Sequence, residues 1–94
     1  MATTQSQPPV LQVKIVSPKG TLFYDSALSV SSTNTAGKFD ILPWHANFIT
    51  IVNNVPIIIR KVNKEEANFK FPLAIIYVTQ DKVNIYTDIQ AHLI

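Results

Sequence analysis

The side chains here that could do chemistry are few and scattered. The chain has two histidines, His45 and His92, no cysteine, and six acidic residues against eight lysines and arginines. Without cysteine there can be no disulfide, iron–sulfur cluster, thiolate zinc site or thiol nucleophile. Ser, His and Asp all occur, but no nucleophile elbow frames a serine, so a hydrolytic triad lacks its scaffold. His45 and His92 show no ligand spacing on one element, and no metal site is expected. The only glycines, Gly20 and Gly37, are too few for a phosphate cradle, so no nucleotide or other cofactor is expected. Asp25, Asp40, Asp81 and Asp88 are the candidates for paired acid–base work. Three of them fall where turns or strand ends favour aspartate. Arg60-Lys61 with Phe69 and Tyr77 hints at a basic-aromatic surface, but neighbours on a strand point to opposite faces. With a net charge of +2 and its other lysines standing singly, the chain has no footprint for nucleic acid.

What remains is recognition of another protein, which needs only exposed shape and anchors. The informative stretch is Gly37-Lys38-Phe39-Asp40-Ile41-Leu42-Pro43-Trp44-His45-Ala46. Gly37 gives the backbone a permissive hinge. Pro43 forces Leu42 to be extended and removes a ladder donor. Trp44 and His45 follow at once on a rigid corner. Two roles fit this pair equally. It is an anchor for a partner, or Trp44 plugs one end of the core while His45 bonds a backbone carbonyl.

The elements that position these residues read as short strands. Leu11, Val13 and Ile15 alternate with polar neighbours, the period of a half-buried strand. Ser17-Pro18-Lys19-Gly20 is a β-turn. Strands are then expected at Thr21–Tyr24 and Ala27–Ser31, with a polar loop over Ser32–Gly37. Further strands are expected at Phe48–Val52, Val55–Val62, Asn68–Phe71, Leu73–Thr79 and Val83–Thr87. Turns fall at Asn53-Asn54, Asn63–Glu66 and Gln80–Lys82. Pro56 marks a sheet edge or a strand end. Roughly eight or nine short strands at even spacing predict an all-β antiparallel sandwich or flattened barrel.

Ninety-four residues, 47% of them apolar, suit one folded domain with a modest core. Residues 1–9 read as a polar, proline-ended leader, residues 10–88 as the β-domain, and residues 89–94 as a short apolar tail. That tail is expected to form a helical turn capped by Asp88 or to extend the last strand. No signal peptide or membrane-spanning run is expected. The missing cysteines fit a reducing compartment.

Several of these motifs resemble one family. They are Leu11-Gln12-Val13-Lys14-Ile15-Val16-Ser17-Pro18, Leu22-Phe23, Ser26-Ala27, and Gly37-Lys38-Phe39-Asp40-Ile41-Leu42-Pro43-Trp44-His45-Ala46-Asn47-Phe48-Ile49-Thr50. Together they are similar to the N-terminal domain of the F-type ATP synthase epsilon subunit over residues 10–88. That family carries Gly-Glu-x-Gly-Ile-Leu-Pro-Gly-His-Ala-Pro-Leu-Ile-Thr. The resemblance implies a β-sandwich of about ten strands. It also implies a non-catalytic rotor part that couples ion flow to ATP synthesis, on the cytoplasmic or organelle-interior side of an energy-transducing membrane. Its partners would be the gamma subunit and the c-ring, with the membrane reached only through the complex. Carried over by position, His45, Thr50, Ser17 and Trp44 would face gamma, and Asn34, Thr35, Gly37 and Lys38 would approach the c-ring. This chain departs from the motif at Lys38, where the family has Glu, and at Asp40 and Trp44, where it has Gly. Pro72-Leu73-Ala74 replaces a Ser-Gly-Gly. The family's C-terminal helical hairpin has no counterpart here, so neither inhibition nor nucleotide binding is expected.

Overall fold

The computed structural model describes residues 9–88. The leader over residues 1–8 and the tail over residues 89–94 lie outside them. Eight strands run in order: β1 (Leu11–Ser17), β2 (Gly20–Asn34), β3 (Gly37–Ile41), β4 (Phe48–Val52), β5 (Pro56–Lys61), β6 (Glu66–Lys70), β7 (Ala74–Thr79) and β8 (Lys82–Thr87). They form one curled sheet in the order β4-β7-β8-β1-β2-β5-β6, with β3 also paired to β2. The architecture is the expected all-β one. All ladders are antiparallel except β1–β8, which is parallel.

β2 organises the domain. Its first half pairs with β1, its centre with β5, and its last residues with β3. Ala27 has Leu11 on one side and Lys61 on the other, and Val30 has Ile41 and Ile59. β1 and β3 therefore share one edge of β2, and β5 holds the opposite edge. A register shift between Ala27 and Ser29 bends the strand, as bulges do. The sheet thus folds into two leaves, β4-β7-β8-β1-β2 and β3-β2-β5-β6. The two short strands expected at Thr21–Tyr24 and Ala27–Ser31 are one strand. Ser32–Asn34 belongs to it too, so the expected six-residue loop shrinks to Thr35-Ala36.

The turns follow from local chemistry. Gly20 and Gly37 have φ of 136° and 122°, which L side chains rarely adopt, and each takes the last position of a tight turn, paired with Ser17 and Asn34 respectively. Gln80 and Asp81 both take positive φ, which makes the β7–β8 connection a type I′ turn, the form that matches strand twist. Pro56 opens β5 and is a strand end rather than an edge, because β5 lies between β2 and β6.

The space between the leaves is filled by Leu11, Val13, Ile15, Val30, Ile41, Val52, Ile57, Ile59, Ile76, Val78, Val83 and Ile85, all essentially inaccessible. Most are β-branched, which suits close packing on a pleated surface. The buried polar residues are satisfied: the Ser32 hydroxyl donates to the Pro56 carbonyl at 2.9 Å and Thr87 to Leu73 at 3.5 Å. Phe23, Phe69 and Phe71 close one flank of the core, and Phe39, Phe48 and His45 another.

Candidate protein-docking face

Alternation normally leaves the outer face of a sandwich polar. One leaf obeys. On β3-β2-β5-β6 the outward residues include Lys38 opposite Thr33, Asp40 opposite Ser31, and Arg60 opposite Glu66. Ser31 and Asp40 are joined by a hydrogen bond and Arg60 and Glu66 by an ion pair. The other leaf does not obey. Across β4-β7-β8-β1 one outward row reads Ile51, Ile75, Tyr86, Val16, and the next reads Ile49, Tyr77, Asn84, Lys14. Tyr24 of β2 extends the second row. Ile49 is 66% exposed, Ile51 53%, and Tyr77 and Tyr86 about 40%. A contiguous apolar and tyrosine-rich surface with one charge in it has the composition of a protein interface core. It also has a polar tip on each tyrosine, suited to a partly wet contact.

The sequence reading did not find this face. A signal was present: in Phe48–Val52 and Ala74–Thr79 both alternating sets are apolar apart from Thr50 and Thr79, the mark of a strand covered on both sides. Seen alone, such a run does not say which set faces the core.

The corner before β4 is built from a specific turn. The His45 N–H donates to the Leu42 carbonyl at 3.1 Å. Pro43 and Trp44 are therefore the central pair of a four-residue turn, and Trp44 has φ 66°. Proline then a left-handed residue is a type II turn, whose third position favours glycine. A tryptophan there costs about 1–2 kcal/mol. Its N–H donates to the Asp81 carboxylate at 2.6 Å, which ties the corner to the β7–β8 turn. The indole is 77% exposed and so does not plug the core. His45 is half-buried. Its Nδ1 lies 2.7 Å from the Ala46 carbonyl. A carbonyl only accepts, so Nδ1 carries the proton. The ring meets Phe48 edge-on at 5.5 Å.

The other expected contact residues are spread out. Thr50 points inward from β4, and its hydroxyl accepts from the Asn34 side-chain amide at 3.0 Å. One residue expected to face gamma and one expected to face the c-ring thus meet at the mouth between the leaves. That mouth holds a shallow groove of about 190 Å³ lined by Thr33, Asn34, Thr35, Ile51, Asn53 and Val55. Asn34 also accepts from the Ala36 N–H at 2.8 Å, which shapes the β2–β3 hairpin tip. Thr35 and Gly37 form that tip, and Lys38 stands beside it on β3. Ser17 lies at the far end of β1, two residues beyond Ile15. It is engaged in its own turn, accepting from Lys19 N–H and donating to the Gly20 carbonyl. His45 and Ser17 therefore mark opposite ends of the apolar leaf. No group of three or more His, Cys, Asp or Glu that could hold a metal occurs among the described residues.

The fold and the uncovered leaf define a β-sandwich domain with a large apolar outer face. Residues 10–91 match the model of the ATP synthase delta/epsilon chain β-sandwich domain, and the chain belongs to that family. It is 25% identical over 79 residues to the ATP synthase epsilon chain of Sulfurovum sp. (strain NBC37-1), covering 84% of this chain and 62% of that one. It is 32% identical over 57 residues to the epsilon chain of Aliarcobacter butzleri (strain RM4018), covering 61% and 46%. The chain thus spans less than two thirds of either relative. Its fold is similar to a chain in the cryo-EM structure of the Euglena gracilis mitochondrial ATP synthase (OSCP/F1/c-ring, rotational state 1). There the TM-score is 0.78 at 9% identity, covering 93% of this chain and 56% of that one. A chain of the Tetrahymena thermophila mitochondrial ATP synthase central stalk and c-ring gives 0.68 at 13% identity, covering 89% and 66%.

Proposed function

We propose that this domain is a non-catalytic part of the central stalk of a proton- or sodium-driven ATP synthase. In this reading the outer face of β4-β7-β8-β1 binds the gamma subunit. Its ends are marked by the Trp44–His45 corner and by Ser17, and Thr50 lies on its edge strand. The β2–β3 hairpin, with Asn34, Thr35, Gly37 and Lys38, reaches the polar loops of the c-ring. The domain performs no bond-making. It links the ring to gamma so that ion flow turns both together, and it meets the membrane only through the complex. The observation that carries the reading is an uncovered Ile- and Tyr-rich leaf in a member of the delta/epsilon family. Among the described residues no helix is long and apolar enough to cross a membrane, in keeping with a peripheral place on the cytoplasmic or organelle-interior face.

The test is binding of the purified chain to the gamma subunit of the same source. Ile49→Asp changes an outward side chain, so stability should move by no more than about 0.5 kcal/mol. The buried charge should cut affinity for gamma by at least about tenfold. Wild-type affinity in the variant would remove this face from the interface, and no binding by the wild type would end the stalk reading.

A further inference from the structure

We propose that Trp44 is a specificity anchor that inserts into an apolar socket on gamma, and that Asp81 is the positioning residue holding it there. The inference rests on the stalk reading above and adds a contact that the family motif, with glycine at this position, does not supply.

Three observations converge. First, Trp44 occupies the left-handed position of a type II turn, a place glycine fills without strain. Second, the indole is 77% exposed and its neighbour Leu42 is 53% exposed, so folding recovers little from either side chain. A strained residue whose side chain stays in water is a burden on the isolated domain, and such outliers concentrate at functional sites. Third, the strained conformation is braced from several directions. The Asp81 carboxylate takes the Trp44 N–H at 2.6 Å, and the Asp81 carbonyl takes the Gln12 N–H at 2.9 Å. The following His45 is held by Leu42, Ala46 and Phe48. A rigid corner presenting a large aromatic loses little conformational freedom on binding, the condition for an effective anchor. The corner ends two residues before β4, where the apolar leaf begins at Ile49, so one partner surface spans both.

The prediction has two signs. Trp44→Gly and Trp44→Asn relieve the turn, and Trp44→Gly should raise the thermal midpoint by about 4 °C or more. Both should weaken gamma binding by about tenfold or more. Asp81 itself has φ 63°, so Asp81→Gly removes the carboxylate without straining the backbone, whereas Asp81→Asn keeps an acceptor for the Trp44 N–H. Asp81→Gly should weaken binding like the Trp44 variants, and Asp81→Asn should restore most of it. Trp44 is the only tryptophan, so fluorotryptophan labelling of the full chain gives one resonance, which should shift on adding gamma. Wild-type affinity in Trp44→Gly, or a lowered midpoint, overturns the anchor while leaving the stalk reading intact. Failure of the wild type to bind gamma overturns both.

Discussion

Lys38 is the residue at which charge and position say most. It projects from β3 opposite Thr33, and the ion pairs among the described residues, Arg60–Glu66 and Lys61–Asp25, leave it unengaged. The resembling family carries Glu at this place. If the hairpin meets the c-ring, the ring loops of this assembly present an acidic or neutral partner, and Lys38→Glu should weaken reconstitution with the ring. A solvated rim charge of this kind contributes about 0–1 kcal/mol, so the loss should be less than about tenfold and should fade as salt is raised. Unchanged assembly at low salt would take Lys38 out of the contact. At this scale the sequence was only partly readable. The turn residues announced themselves, because Pro18, Gly20 and Pro43 act through their own backbones. The partnership of Trp44 with Asp81 joins residues 37 positions apart and leaves no local trace. The hydrogen bond from Asn34 to Thr50 is hidden for the same reason.

At the scale of elements, β2 explains both the successes and the misses of the strand reading. Polar runs such as Ser31-Ser32-Thr33-Asn34 look like loop because serine and asparagine favour turns. They form strand here because β3 supplies a ladder along the whole run and β5 a second one at Ser31, and tertiary pairing overrides a weak local preference. Where the alternation is clean, as in Leu11–Ile15, the expected strand and the buried set agree residue by residue. The junction of the leaves is the sensitive point. Ile59 lies opposite Val30, which also pairs with Ile41 on β3, and all three are buried. Ile59→Ala should therefore cost about 2–5 kcal/mol, read by denaturant titration, with the slope unchanged if unfolding stays two-state. A loss below about 1 kcal/mol would mean the leaves relax into the space and the junction is softer than its burial implies.

For the whole molecule, the asymmetry of the two outer faces decides what kind of association to expect. One leaf carries paired charges and hydroxyls. The other carries isoleucine and tyrosine, in a chain whose net charge is only +2. Binding through the second leaf should be driven by apolar burial. Calorimetry with gamma should give a negative heat-capacity change and an affinity that moves by less than about threefold between low and physiological salt. A steep salt dependence would shift the interface to the charged leaf. Overall class was legible from strand spacing and composition. Which leaf stays uncovered was not, because that depends on how strands distant in sequence are brought edge to edge.

The long β2 has a mechanical consequence. It runs from the Ser17–Gly20 turn through the bend at Ala27–Ser29 to the Asn34–Gly37 tip, a contour of about 50 Å for 15 residues at roughly 3.3 Å each. A load applied at the tip enters this single beam and leaves it sideways through the ladders to β1, β3 and β5. The strand joins the two leaves through a bend held by ladders on both sides. Turning one leaf should carry the other with little lag between them.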